Sequence, residues 1–395
     1  MWSIGQWKSQ LTGLFVWAVL VLVGAGPLFG SPDVEDSPEA EAEITGFDPS
    51  PDHSRSEEEP YYFYQGLNYG SEAMLHPIRL IINGGYGILQ IDHRTNHITD
   101  IDYRTGWRNV WLNISNPLKS IDANGWGDFL AREIAPVSIN GHQSHYWPNY
   151  TQHLIGGGMS YRLYAEWFRY HHYRHPKILS GLTIAVYHLL NEVVENNDYI
   201  GWTTDPVADL LVFDPLGILL FSSDRVARFF GQTLNMADWS YQPSINLTTG
   251  ELENHGQNFA LKWNIPRSKR WQLFYHYGTH GELGLTRRMT EHESISVAFG
   301  LKANELINLT DSVKGVNLAY AGGIFYDRNN SLLASVLFAR TKDYRVRLNV
   351  YPGLFRIGPL TPGFFLADRR DNGLVFGITY IYQPGLPIGI ATDVH

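Results

Sequence analysis

Seven polar side chains crowd one stretch of this chain: His153, Arg162, Glu192, Glu195, Asp205, Asp209 and Asp214. Glu192 and Glu195 stand three residues apart, which puts both carboxylates on one face of a helix. Carboxylates so placed repel unless they share a proton, a cation or an arginine. His188 lies in the same stretch, so a metal cluster and a structural polar core are the two readings. No tight ligand spacing such as His-Glu-x-x-His is present, and helix ends attract acids. The sequence therefore favours a structural or binding cluster, in which the acids cap helices or pair with Arg162, Arg169 or Arg225, with no metal and no other cofactor.

Two further groups invite chemistry. The run Tyr170-His171-His172-Tyr173-Arg174-His175 is rich in imidazole, but adjacent residues of a helix point to different faces and cannot converge on one ion. Contact with lipid headgroups suits it better. His142-Gln143-Ser144 resembles the His-x-Ser of outer-membrane phospholipase, in which histidine activates serine; here His145 follows where that family has asparagine. A plain loop accounts for the stretch more simply. His142 and Ser144 are the residues on which a lipid-acyl hydrolase reading would rest.

The elements around these residues fall into three blocks. Residues 156–240 read as a helical insert. Gly156-Gly157-Gly158 opens a first helix that ends near Pro176, and a second carries Leu182, Ala185, Leu189 and Val193 along one stripe. Asp205-Pro206 starts a third and Ser222-Ser223-Asp224 a fourth. Residues 241–395 alternate with period two: Trp271, Leu273, Tyr275 and Tyr277 oppose Gln272, Phe274 and His276, and Ile295, Val297, Phe299 and Leu301 oppose Ser294, Ser296, Ala298 and Lys302. Tyr344 to Val350 and Leu374 to Tyr382 repeat the pattern, and Asp327-Arg328-Asn329-Asn330 reads as a hairpin turn. In residues 60–155, Ile78 to Asp92, His97 to Arg104 and Trp107 to Ile114 read as further strands, giving about twelve in all.

Composition narrows the class. The 395 residues are 44% hydrophobic, 14% aromatic and only 17% charged, with no cysteine, which excludes disulfide scaffolds, thiol catalysis and cysteine–metal sites. Residues 1–30 carry one charge, Lys8, ahead of an apolar run from Leu11 to Ala25, the pattern of a cleaved signal peptide. Residues 31–59 hold eleven acids against Arg55 alone and read as a disordered acidic linker; from residue 60 onward 28 acids balance 28 bases. No basic face or nucleotide loop appears, so nucleic acid is excluded as a partner. An export signal, strands of about ten residues and aromatic groups at their ends favour an antiparallel outer-membrane β-barrel over a soluble periplasmic sandwich. Its partners would be outer-membrane lipid and the barrel assembly machinery. The helical block would plug the lumen or lie at the membrane surface.

The motifs His153-x-x-Gly156, Tyr161-Arg162, Ser180, Asn191-Glu192-x-x-Glu195-Asn196, Thr203-Thr204-Asp205-x-x-x-Asp209 and Asp214-Pro215-x-Gly217 together resemble an uncharacterised family of bacterial outer-membrane proteins. Those proteins carry a helical segment of shared motifs within a barrel. The resemblance covers about a quarter of the chain and implies location and architecture, and it supplies no reaction. The expectation is thus a mainly β outer-membrane barrel with a structural, binding or passage role and an unassigned ligand. An envelope-lipid acyl hydrolase is the alternative.

Overall fold

Helix and sheet divide the chain between them rather than alternating. The computed structural model describes residues 60–91, 95–135, 147–308, 314–341, 343–357, 360–369, 373–380 and 388–394. The signal and acidic linker (1–59) and the pair His142 and Ser144 lie outside the described residues.

Among the described residues every regular element before Ala237 is helical, which corrects the strands expected in residues 60–155. The main helices are α1 (Pro77–Gly85), α2 (Tyr103–Ile114), α3 (Pro117–Asn124), α4 (Trp126–Phe129), α5 (Gly158–Tyr170), α6 (Pro176–Glu195), α7 (Asp205–Ala208), α8 (Asp214–Phe221) and α9 (Asp224–Arg228). Local chemistry explains the correction. Pro77 opens α1 behind His76, whose Nδ1 accepts from the Ile78 amide. Gly84 and Gly85, read as a strand break, let α1 lie close on α6, where a Cβ on either would collide with Tyr187 or Leu190. Asp102 caps α2 by accepting from the Thr105 amide. The buried stripe of α2 is Gly106, Asn109, Val110 and Asn113, helical in spacing but half of it asparagine, so hydrophobicity alone hid its period.

Thirteen strands follow, all in one sheet. They are β1 (Ala237–Asp238), β2 (Ser244–Asn246), β3 (Leu252–Glu253), β4 (Phe259–Asn264), β5 (Trp271–Tyr277), β6 (His280–Arg288), β7 (Glu293–Asn308), β8 (Lys314–Arg328), β9 (Ser331–Ala339), β10 (Val346–Val350), β11 (Pro362–Arg369), β12 (Gly373–Tyr380) and β13 (Gly389–Val394). The order is β1-β4 through β13 in sequence, then β2-β3; every junction is antiparallel except β13 with β2. Asn329 and Asn330 make the β8–β9 turn with φ of 50° and 64°, as the sequence predicts for a tight hairpin.

The sheet curls strongly. β1 and β2 stand eleven strand intervals apart in the order, about 50 Å in a flat sheet. Residues 239–243 join them, a link that reaches about 20 Å when fully extended. One segment therefore touches both edges: the Trp239 and Tyr241 amides donate to the Asn258 and Gly256 carbonyls beyond β4, while the Gly389 amide donates to the Pro243 carbonyl beside β13.

Alternation along the strands follows the expected faces except at Tyr277, Tyr344 and Val350, which are buried. Leu273, Leu283, Val297, Phe299 and Tyr320 are exposed, whereas Gln272, His276, Glu282, Thr286, Ser296 and Lys302 are buried. Trp239, Tyr241, Phe274, Phe325, Leu337, Tyr344 and Tyr351 pack inside the curl together with Met74 from the helical half. The helical half is bonded to the sheet at both rims. Asn329 in the β8–β9 turn donates to the Tyr69 hydroxyl at 2.7 Å, and the Lys302 ammonium reaches Gln90 at 3.3 Å near the opposite rim.

Candidate functional site

Three π-helical turns, in which the backbone bonds to the fifth residue on and the helix widens, each present one polar side chain to a common centre. Leu130–Ile134 carries Glu133, Trp147–Gly157 carries His153, and Asp209–Phe213 begins with Asp209. Helix α6 supplies the fourth wall. Its buried face is Ser180, Thr183, Ile184, Tyr187, His188, Leu190, Glu192, Val193 and Val194; of the expected apolar stripe Val193 is buried, while Leu182 and Ala185 are exposed. This helix turns its polar groups inward, the reverse of the face read from its leucines.

His153 sits at the middle. Its Nδ1 lies 2.9 Å from Oδ1 of Asp214 and its Nε2 lies 3.2 Å from Oδ2 of Asp209. Nδ1 of His188 reaches the same Asp214 oxygen at 2.7 Å, and the two imidazole rings stand 4.6 Å apart. Burial works against a charge on Asp214, but His188 and His153 outweigh it and hold the carboxyl below its usual range. Burial also lowers the His188 imidazole, which favours its neutral form. Asp209 moves the other way: burial, reinforced by Asp205, Glu192, Asp214 and Glu133, raises it well above an ordinary carboxyl.

The surroundings are polar as well. Glu133 accepts from Asn149 at 3.1 Å and from the Thr204 hydroxyl at 3.2 Å. Glu192 accepts from Asn196 at 3.3 Å, and Asn109 and Asn113 extend that chain of amides along α2 to the Thr203 backbone. Candidate ligand atoms of His153, Glu192 and Asp209 lie within 4.8 Å of one another, and the same holds for Glu192, Glu195 and Asp205 and for His153, His188 and Asp214. Thus six of the seven residues singled out by sequence converge: His153, Glu192, Glu195, Asp205, Asp209 and Asp214.

Arg162 does not join them. Its guanidinium pairs with Glu166 at 3.0 Å and Asp224 at 2.8 Å, and stacks over Tyr62. Glu166 in turn accepts from the Tyr62, Phe63 and Tyr64 amides, so this pair anchors the segment entering the helical half. Arg225 is exposed. The run from Tyr170 to His175 forms the α5–α6 turn, where His171 lies over Trp167 with ring centroids 4.1 Å apart.

Sequence reasoning missed Glu133, which lay in a block read as strands. It also missed a second group inside the sheet, where His276 meets Glu282 at 3.1 Å and His280 at 2.8 Å. The alternation His280-x-Glu282 on a strand was the available signal, since both side chains then share a face. No protein-family model, no curated protein and no solved structure matches this chain.

Proposed function

We propose that this chain is an outer-membrane β-barrel protein with a binding or structural role at the cell envelope. In this reading β4 to β13 stand in the bilayer, the segment from Ala237 to Asn246 runs between β4 and β13, and the outward side chains meet lipid. One observation carries it: the sheet's outward face is apolar, while its inward face holds most of its polar and charged side chains among a cluster of aromatic residues. Phe299 is 63% exposed and Leu283 71% exposed, while Lys302, Ser296 and Thr286 are fully buried. In water that distribution would leave a broad apolar surface uncovered and bury groups that prefer solvent. In a bilayer it is the favoured one, because lipid takes the apolar face and the backbone bonds are satisfied between strands.

The export signal and the family resemblance read from the sequence agree with this placement. Exposed Leu216, Leu219, Leu220 and Phe229 on the helical half suit contact with a membrane surface. A binding or structural role is preferred over passage because the inside of the curl is filled: Trp239, Phe274 and Phe325 stack there, and Lys262 pairs with Asp327 across it. Cell fractionation tests the proposal. The protein should sediment with the outer membrane and resist extraction by salt or alkali. Recovery in the soluble fraction after osmotic shock would overturn it in favour of a soluble periplasmic protein.

A further inference from the structure

The cluster around His153 has a geometry that hydrogen bonding alone leaves incomplete. Asp214 is an acceptor, so His153 directs its Nδ1–H at Oδ1, and Nδ1 of His188 lies 2.7 Å from the same oxygen. With that proton on Nδ1, neutral His153 has its lone pair on Nε2, and Nε2 faces Oδ2 of Asp209 at 3.2 Å. Two acceptors at that separation repel unless something electrophilic lies between them. The other Asp209 oxygen, Oδ1, is buried without a hydrogen-bond partner in a residue only 4% exposed. Four further acids, Asp205, Glu192, Asp214 and Glu133, lie close enough to act on Asp209. Donor atoms bound to one cation at about 2.0–2.2 Å, in tetrahedral or octahedral directions, stand roughly 3.0–3.5 Å apart. The His153–Asp209 separation matches that figure.

We propose that Nε2 of His153, Glu192 and Asp209 bind one divalent first-row transition cation. Asp214 is a positioning residue, a carboxylate behind the imidazole that fixes its orientation and raises its basicity. The donor set of one imidazole with carboxylates, in a chain without cysteine, suits zinc, manganese or ferrous iron rather than a soft monovalent metal. The widened π-helical turns that carry His153 and Asp209 aim both groups at one point. The competing occupant of the gap is a proton, carried by Asp209 or by Nε2 of His153. This inference concerns the helical half alone and does not depend on where the sheet resides.

Metal loading separates the two occupants. Full-length protein is stripped with chelator, loaded with Zn²⁺, desalted and analysed by mass spectrometry. The parent should retain about one equivalent. His153→Gln and Asp209→Asn should retain at least tenfold less, and His280→Gln, in the group inside the sheet, should match the parent. Asp214→Asn should reach parental loading at saturating zinc with affinity lowered roughly 10–100-fold, as expected of an outer carboxylate. With Co²⁺ the parent should show visible absorption bands that His153→Gln lacks. A parent that retains no zinc and gives no cobalt bands overturns the proposal whether or not the variants fold. So do folded His153→Gln and Asp209→Asn variants that load like the parent.

Discussion

Nζ of Lys262 and Oδ2 of Asp327 lie 2.6 Å apart, although β4 and β8, which carry them, are separated by three intervening strands. In a flat sheet the two backbones would stand about 19 Å apart, so the pair bridges the inside of the curl. Both side chains are buried, and Lys262 also lies over the Trp239 ring at 4.9 Å. Lys262→Met alone leaves a buried carboxylate without its partner and should cost about 3–5 kcal/mol. The double variant Lys262→Met with Asp327→Leu should recover most of that loss, because an ion pair replaced by apolar groups of similar volume is often neutral. Unfolding in denaturant, followed by tryptophan fluorescence, measures the cycle. Additive losses would mean the two residues act separately.

The outward face offers a test whose two outcomes differ widely. Val297 is 54% exposed on β7. If it faces water, Val297→Arg should change stability by no more than about 0.5 kcal/mol, as at most surface sites. If it faces the middle of a bilayer, the same change should cost about 2–4 kcal/mol and lower the yield of assembled protein. The second outcome is expected, measured as the folded fraction in vesicles. Ser296→Arg is no neutral control, since Ser296 is fully buried and shares a 2.7 Å hydrogen bond with Thr286.

What was legible in the sequence follows from these same residues. The strands of the C-terminal half were readable because Trp271 to Tyr277 and Ile295 to Lys302 alternate two chemically distinct faces, and alternation survives whether the apolar face meets a core or lipid. Residues 60–155 misled because α2 buries Asn109 and Asn113; α6 was read as a helix, but its buried Ser180, His188 and Glu192 hid which face turns inward. Hydrophobic periodicity reports a helix face only when the buried face is the apolar one. For the site, the three-residue spacing on α6 placed Glu192 and Glu195 together and nearness in sequence added His153, but Glu133 arrives from a π-helical turn in a block read as strands. Arg162 was grouped with the acids on nearness in sequence, whereas the helix turns it toward Glu166, four residues on.

His76 links folding to pH. It caps α1 through Nδ1, and burial, aided by the nearby His171, lowers its pKa to about 4 from an unfolded value of 6.5. Between those values the unfolded chain binds the proton and the folded chain does not, so stability is complete above pH 6.5 and falls as pH drops toward 4. The full loss, below pH 4, amounts to about 3 kcal/mol. Glu72, which burial raises to about 7, acts in the opposite sense, losing stability as pH rises from 4.5 to 7. The parent curve is therefore flattened between them, and the His76 contribution emerges by difference. His76→Asn keeps an acceptor at the cap and removes the titration. Relative to the parent it should gain stability at pH 5 and not at pH 8, read from thermal midpoints. An equal change at both values would show that His76 acts only as a cap.

Two glycines on the α1–α6 pair should respond with opposite signs to the same substitution. A Cβ at Gly84 would overlap the Tyr187 ring, which is itself buried and packed against His188 with ring centroids 3.9 Å apart. The ring cannot withdraw without disturbing the His153 cluster, so Gly84→Ala should cost about 1–3 kcal/mol through overpacking. Gly181 lies within α6 with nothing near its added methyl. There Gly181→Ala removes backbone freedom from the unfolded chain and should stabilise by up to about 1 kcal/mol. Because both sites are helical, propensity favours alanine equally at each, and the difference isolates the packing. Thermal unfolding of the two variants beside the parent supplies the comparison. If Gly84→Ala were as stable as Gly181→Ala, α1 would not lie on Tyr187 as closely as described.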